Sequence, residues 1–277
     1  MKLNLKSSFL AKTLILFGLT QILGVYVAVK MLPLIGLAGA KDLRQFSPGS
    51  ILTLVVFAAV FIFISSKFPR LGAAVYRIFL TLAVFIMTRM IFSIWFNTVS
   101  ATLIALVLLI LFWSWSRVFL QNLLMILTLA GLGAVLGLAL TPISAVIILV
   151  TLSFYDIIAV YVTGHMIKMA QTMLRSRAIF GFIIPSTASG FASNMKNVTP
   201  GEGFMILGSG DVALPLVLAA SLVRTSLTQA SVVAVFSLLG LILTHLIFTN
   251  QATRRPMAAL PPIAAMSIIG YLVTSML

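Results

Sequence analysis

The sequence predicts an all-α, polytopic membrane protein with about nine transmembrane helices. Of its 277 residues, 61% are hydrophobic and only 8% are charged, and the mean hydropathy is +1.22. Apolar runs near 20 residues long recur along the chain, and about 20 residues are needed to cross roughly 30 Å of hydrocarbon as an α-helix. These runs are continuous, whereas the strands of a membrane β-barrel are short and alternate in polarity.

Polar and charged interruptions divide the chain into nine predicted spans. The spans lie at residues 10–31, 49–66, 71–94, 98–115, 118–140, 143–168, 201–222, 227–249 and 258–276. Short turns join most of them, and the one long connection, 169–200, is predicted to be a cytoplasmic loop. We therefore expect one integral membrane domain over 1–277, with helices 1–6 within 1–168 and helices 7–9 within 201–277.

The first apolar run is similar to a secretion signal, because three lysines precede it. It extends from Thr13 to Val29 without a charge, which is longer than the usual signal core of about 7 to 15 residues. We therefore expect it to be a retained first span.

The distribution of Lys and Arg predicts the orientation, because cytoplasmic loops carry an excess of both. With the N-terminus in the cytoplasm, about 13 of the 18 basic residues lie on the cytoplasmic side. The odd number of spans then places the C-terminus outside the cytoplasm. The basic residues form short clusters between spans, so the net charge of +14 indicates topology signals and contacts with anionic lipid rather than nucleic-acid binding.

Only four acidic residues occur, and two of them fall inside predicted spans. Asp42 and Glu202 lie at span ends, where water is close. At a rise of about 1.5 Å per residue, Asp156 lies roughly 20 Å from either end of its span. Asp211 lies roughly 16 to 20 Å from the boundaries of the next span. The two carboxyls therefore share a depth on consecutive spans, which are expected to be neighbours.

A carboxyl at the centre of a span costs about 2.5 to 3.5 kcal/mol, so two at one depth indicate a function or a partner. A purely structural pairing with a neighbouring helix stays open, with a base drawn from Lys30, Arg77, Arg89 or His245. Two carboxyls in contact would not both ionise but would share one proton. One then acts as base on water and the other as acid on a peptide carbonyl.

Small residues and a proline flank Asp211. Gly208 and Gly210 remove side chains, weaken the helix locally and let a second extended backbone approach. Pro215 has no N–H, so the carbonyl of Asp211 lacks its helical partner. We expect an unwound substrate to bind here as an added strand. Tight helix packing is the other explanation for small residues in a span.

These residues resemble those of the presenilin and signal-peptide-peptidase family of intramembrane aspartyl proteases. Tyr155-Asp156 is similar to the family's YD motif, and Gly208-Ser209-Gly210-Asp211 is similar to its GxGD motif in the next span. The family's Pro-Ala-Leu motif is represented by Ala258-Ala259-Leu260, followed by Pro261, so its first residue departs from the pattern.

The resemblance implies that Asp156 and Asp211 form the catalytic pair, that water is the nucleophile, and that no metal or other cofactor takes part. It also implies a set of residues that support the pair or bind substrate: Tyr155, Gly208, Gly210, Ala259, Leu260 and Pro261. The implied partners are single-span membrane proteins with an outside N-terminus and the lipid of a cell membrane, while a homo-oligomer stays open. The short loops resemble those of a compact archaeal member.

Two other functions fit paired membrane carboxyls. A proton-coupled secondary transporter also uses broken helices at the midplane, but no internal repeat is evident. A cation-conducting pore would line its path with several polar or acidic residues. The chain has no cysteine, no His-Glu-x-x-His and no Gly-x-Ser-x-Gly. Cysteine, zinc and serine protease chemistry of these types is therefore excluded.

Overall fold

The computed structural model describes residues 2–37, 69–162, 173, 178–199, 203–250 and 257–275. Its α-helices are α1 (Lys2–Leu37), α2 (Pro69–Phe92), α3 (Thr98–Ser114), α4 (Val118–Ala139), α5 (Pro142–Ile157), α6 (Ser209–Ser221), α7 (Leu227–Thr249) and α8 (Leu260–Ser275). Two short strands, β1 (Gly181–Pro185) and β2 (Phe204–Gly208), lie between α5 and α6. The predicted all-α fold is confirmed, with one small sheet that was not predicted.

Five stretches of helix are long and apolar enough to cross a membrane: Ser8–Pro33, Ala74–Phe92, Val118–Ala139, Pro142–Val162 and Leu227–Thr249. The helices α3, α6 and α8 are apolar but shorter. Eight of the nine predicted spans thus contain a described helix. The second predicted span, 49–66, lies outside the described residues, as do Asp42 and Glu202.

Local capping sets the starts of two of these helices. The Oδ1 atom of Asn97 accepts the amide of Ser100 at the start of α3. Thr141 caps α5 in the same way by accepting the amide of Ser144, and Pro142 occupies the first turn, where its missing N–H costs nothing. These caps satisfy backbone amides that the helix starts would otherwise leave unpaired.

The helix α6 lies at the centre of the fold. It contacts α1, α4, α5, α7 and α8, and all but one of its side chains from Asp211 to Ser221 are buried. Gly137 of α4 permits one of these contacts, because a Cβ atom there would lie 2.7 Å from the carbonyl oxygen of Val217. Close packing of this kind holds helices together in a membrane, where lipid is as apolar as the helix surface.

The sheet corrects two predicted boundaries. It is antiparallel, with Gly181 opposite Gly208 and Pro185 opposite Phe204, so β1 lies inside the predicted loop 169–200. The strand β2 takes the first part of the predicted span 201–222. The helix α6 is therefore only 13 residues long, about 20 Å, and Asp211 lies in its first turn instead of mid-helix. The glycines around Ser209 disfavour a longer helix, and the apolar residues before them fit a paired strand.

Candidate active site

Asp156 lies where α5 changes its winding. It is the last residue but one of the α-helix, and a π-helical turn, Ile158–Val162, follows. Such wide turns occur frequently at functional sites. The side chain is 6% exposed, and its Oδ2 atom accepts the backbone amide of Leu260 at 3.3 Å. Because Leu260 is the first residue of α8, this amide is one of the donors that a helix start leaves unpaired.

Asp211 lies in the first turn of α6 and is 8% exposed. The backbone of Gly208 forms a hydrogen bond with its carboxyl. A Cβ atom at Gly208 would lie 3.0 Å from Oδ2 of Asp211, which is closer than ordinary van der Waals contact. Gly210 is different, because it is exposed and a Cβ atom there would meet nothing within 4 Å. One motif glycine therefore fits the carboxyl, and the other leaves open space beside it.

The two buried carboxyls lie on helices that are in contact. The helices α5 and α6 are in contact, and the carboxyl of Asp156 interacts electrostatically with that of Asp211. Three of the bases considered as partners make contacts elsewhere. Arg89 donates to the hydroxyl of Thr102 at 3.0 Å, and the other two lie over aromatic rings, Lys30 over Tyr26 and Arg77 over Trp113.

The third motif adjoins Asp156 through the start of α8. Ala258 and Leu260 are buried, whereas Ala259 and Pro261 are partly exposed. The carbonyl of Ala259 accepts the hydroxyl of Thr244 from α7 at 3.4 Å, which fixes this segment to a neighbouring helix. Leu260 thus contacts Asp156 directly, through its amide.

Tyr155 differs from its neighbour Asp156 in burial. Its side chain is 40% exposed, so the ring is not enclosed together with the two carboxyls. Sequence reasoning placed it near the pair through the motif alone, and helical geometry turns adjacent side chains about 100° apart.

Sequence reasoning missed three buried amides. Gln21 of α1 donates to the carbonyl of Val212, the residue after Asp211, at 3.0 Å. Gln121 of α4 donates to the carbonyl of Ile179 just before β1, and Asn122 donates to that of Ile183 within β1. A signal was present in the sequence, because an amide inside an apolar span is costly unless it is hydrogen-bonded.

The geometry is suited to acid–base chemistry on a peptide. It combines two enclosed carboxyls, backbone amides that hold each of them, and a strand that ends beside one of them. Among the described residues, no group of three or more His, Cys, Asp or Glu side chains is arranged to hold a metal ion.

Comparison with known proteins identifies the family. The model of the family "Signal-peptide peptidase, presenilin aspartyl protease" matches residues 14–277. Two similar solved structures, in C222 and P2 crystal forms, are each of a presenilin family intramembrane aspartate protease. They are 21% and 22% identical, with TM-scores of 0.62 and 0.64, and each match covers 95% of this chain and 96% of that chain. At this identity the likeness shows a shared fold.

No curated protein matches the chain significantly. The transporter and channel alternatives find no support in the comparisons. Because the family model covers nearly the whole sequence, the chain belongs to the signal-peptide peptidase and presenilin family and is an intramembrane aspartyl protease.

Proposed function

We propose that Asp156 and Asp211 are the catalytic pair with which this protease hydrolyses peptide bonds in transmembrane segments. The observation that carries the proposal is that two buried carboxyls lie on helices in contact and interact electrostatically. The backbone amide of Leu260 bonds the carboxyl of Asp156, and the backbone of Gly208 bonds that of Asp211. No structural role of either carboxyl would require the other at the same place.

The chemistry follows from one proton shared by the pair. The ionised carboxyl removes a proton from water as the water oxygen attacks the scissile carbonyl carbon. The protonated carboxyl donates its proton to the carbonyl oxygen, which gives a tetrahedral diol. The newly protonated carboxyl then gives its proton to the amide nitrogen. At the same time one diol hydroxyl gives its proton to the other carboxylate, and the C–N bond breaks to leave a carboxylic acid and an amine. The pair ends with one proton, as it began.

The edge of β2 that faces away from β1, with which no described strand pairs, is the proposed binding site for an unwound substrate. The amide of Ser186 bonds the carbonyl of Gly203, and the amide of Ser209 bonds that of Phe180. Because antiparallel partners alternate between bonded and non-bonded pairs, Ile206 directs its amide and carbonyl away from β1. A substrate strand paired there would extend the sheet. Its backbone would reach the open space at Gly210, beside Asp211.

The remaining motif residues have supporting roles in this proposal. Ala259 and Pro261 flank the Leu260 amide that holds Asp156, and Tyr155 lies at the exposed side of the same site. Proteases of this family act on transmembrane substrates within the bilayer. We further propose single-span substrates with an outside N-terminus. A homo-oligomer and an archaeal origin stay predictions of the sequence, as does the division at 169–200 into helices 1–6 and 7–9.

The purified protein is expected to cleave a model single-span substrate in detergent or liposomes. A peptide mimic whose hydroxyl takes the place of the tetrahedral diol should block that cleavage, because it matches the transition state better than the substrate does. Folded protein that leaves several such substrates intact would contradict the proposal. Proton-coupled uptake into liposomes would then be the next assay.

The orientation can be tested by labelling, because the chain contains no cysteine. We expect Ser275→Cys to react with a membrane-impermeant maleimide in intact spheroplasts, and Asn4→Cys to react only after the membrane is permeabilised. The excess of Lys and Arg on the predicted cytoplasmic side is the reason. The opposite pattern of labelling would reverse the proposed topology.

A further inference from the structure

Side chains from two helices cover the edge of β1 that faces away from β2. The alternation that directs Phe180 and Ser186 toward β2 directs Ile179, Gly181, Ile183 and Pro185 to the opposite edge. Each of these four carbonyls accepts a hydrogen bond from a side chain, and the donors are Lys12, Gln121 and Asn122.

Asn122 takes the place of a neighbouring strand. Its Nδ2 atom donates to the carbonyl of Ile183 at 2.7 Å, and its Oδ1 atom accepts the amide of Ile183 at 2.8 Å. One residue of an antiparallel partner strand, through its own N–H and C=O, would satisfy the same two groups. Asn122 is 2% exposed, so neither bond competes with water.

Gln121 and Lys12 extend this coverage in both directions. The Nε2 atom of Gln121 donates to Ile179 at 2.7 Å and to Gly181 at 3.4 Å. At the other end, Nζ of Lys12 donates to the carbonyls of Pro185 and Ser186, at 2.8 and 2.7 Å. The carbonyls on the outer edge of β1 thus accept hydrogen bonds along the whole strand.

We propose that Lys12, Gln121 and Asn122 form an edge cap that holds β1 as a strand before substrate arrives and restricts substrate pairing to β2. The cap residues are positioning residues, since they act through β1. This inference rests on the proposed function, because it assumes that substrate binds as a strand paired with β2.

Two physical arguments support the edge cap. An isolated two-stranded sheet is marginal by itself, and the cap supplies the bonds that a third strand would give. An uncovered sheet also offers two edges for pairing. Since β2 leads directly into α6, a substrate on β2 lies beside Asp211. A substrate on the outer edge of β1 would lie about 4.8 Å farther from α6, one strand spacing away.

The first test is hydrogen exchange of single amides in the wild-type protein without substrate. We expect the Ile183 amide to be protected, although it does not bond to β2. The Ile206 amide should exchange at least tenfold faster and become protected when the hydroxyl-bearing peptide mimic is added. If Ile183 exchanges as fast as Ile206 in the free protein, the edge cap does not preform the strand and the inference is wrong.

The second test is Asn122→Leu, which keeps the side-chain size and removes both bonds to Ile183. Leaving a buried amide and carbonyl unpaired should raise KM for the model substrate about tenfold or more. The value of kcat should stay within about threefold, since the carboxyl pair is untouched. Gln121→Leu should have a smaller effect on KM, because it frees carbonyls but no amide.

Thr128→Val is the matched control on the same helix. Thr128 is buried, and the one hydrogen bond described for its hydroxyl goes to the carbonyl of Leu124, within α4. We expect wild-type KM from this variant. An Asn122→Leu protein that matches Thr128→Val, or that loses kcat at unchanged KM, would overturn the inference. Should Asn122→Leu not fold, the exchange of Ile183 in the wild type decides.

The two proposals fail in different ways. Failure of the edge cap appears as rapid exchange of Ile183 in free protein, which needs no cleavage to be seen. Failure of the proposed function appears as cleavage that persists without the carboxyl pair.

Discussion

Asp156→Asn and Asp211→Asn are each expected to reduce cleavage by about a thousandfold or more. An amide has nearly the shape of a carboxyl, but it can neither accept a proton from water nor donate one to a carbonyl oxygen. General acid or base catalysis contributes about 10²- to 10⁴-fold. Because one proton is shared by both groups, loss of either one removes both roles. The measurement is kcat for a model single-span substrate in detergent.

The double variant gives a second test of the same pair. The effects of substituting residues that act as a unit are not additive. The double variant Asp156→Asn with Asp211→Asn should therefore cleave at a rate within a few fold of either single variant. Asp42→Asn is the control, because its carboxyl lies in a predicted loop, and it should cleave like the wild type. A single variant that retains more than about a tenth of wild-type kcat would rule out the shared-proton pair.

Thermal unfolding separates this chemistry from folding. Replacement of a buried carboxyl by an amide of nearly the same shape should not lower the midpoint, because an ionisable group is itself costly inside the protein. If a variant loses cleavage and its unfolding midpoint also falls, the loss of cleavage would be explained by impaired folding.

Much of the fold was predictable because a membrane allows few solutions. Backbone groups in hydrocarbon must be bonded within the segment, so long apolar runs become helices. Asp156 and Asp211 were predictable for a related reason, since a carboxyl is conspicuous where it is costly. The position of Asp211 within its helix was wrong, however, because the continuous apolar run before it contains a strand. Periodicity does not separate a short buried strand from a helix.

The contacts that complete the site depend on residues far apart in the chain. The strand β1 covers only five residues, Gly181–Pro185, and its partners lie on α1, α4 and β2. The amide of Leu260 meets Asp156 across 104 positions. No local pattern encodes such a pairing. Gln121 and Asn122 were visible as polar residues in an apolar span, but their target was not.

Gly181→Ala is expected to reduce cleavage by about a hundredfold, although residue 181 bears no reacting group. A Cβ atom there would clash with the backbone carbonyl oxygen of Leu207. That atom belongs to the paired strand and cannot turn aside as a flexible side chain could. Because Gly181 lies opposite Gly208, relief of the clash must separate the strands where β2 enters α6. A misplacement of about 1 Å at a catalytic group can cost about 10²-fold.

Two other glycine variants show whether displaced catalytic geometry is the cause of the reduced cleavage expected for Gly181→Ala. In Gly18→Ala on α1, the new Cβ atom would lie 3.8 Å from Leu238, an ordinary contact, so kcat/KM should stay near wild type. Gly210→Ala would meet nothing within 4 Å, so the protein should keep its fold and its kcat, while the methyl group enters the space proposed for substrate and raises KM. Gly181→Ala should instead lower kcat, because it displaces Asp211 itself. If Gly181→Ala cleaves like Gly18→Ala, the pairing of β1 with β2 does not position the catalytic carboxyl.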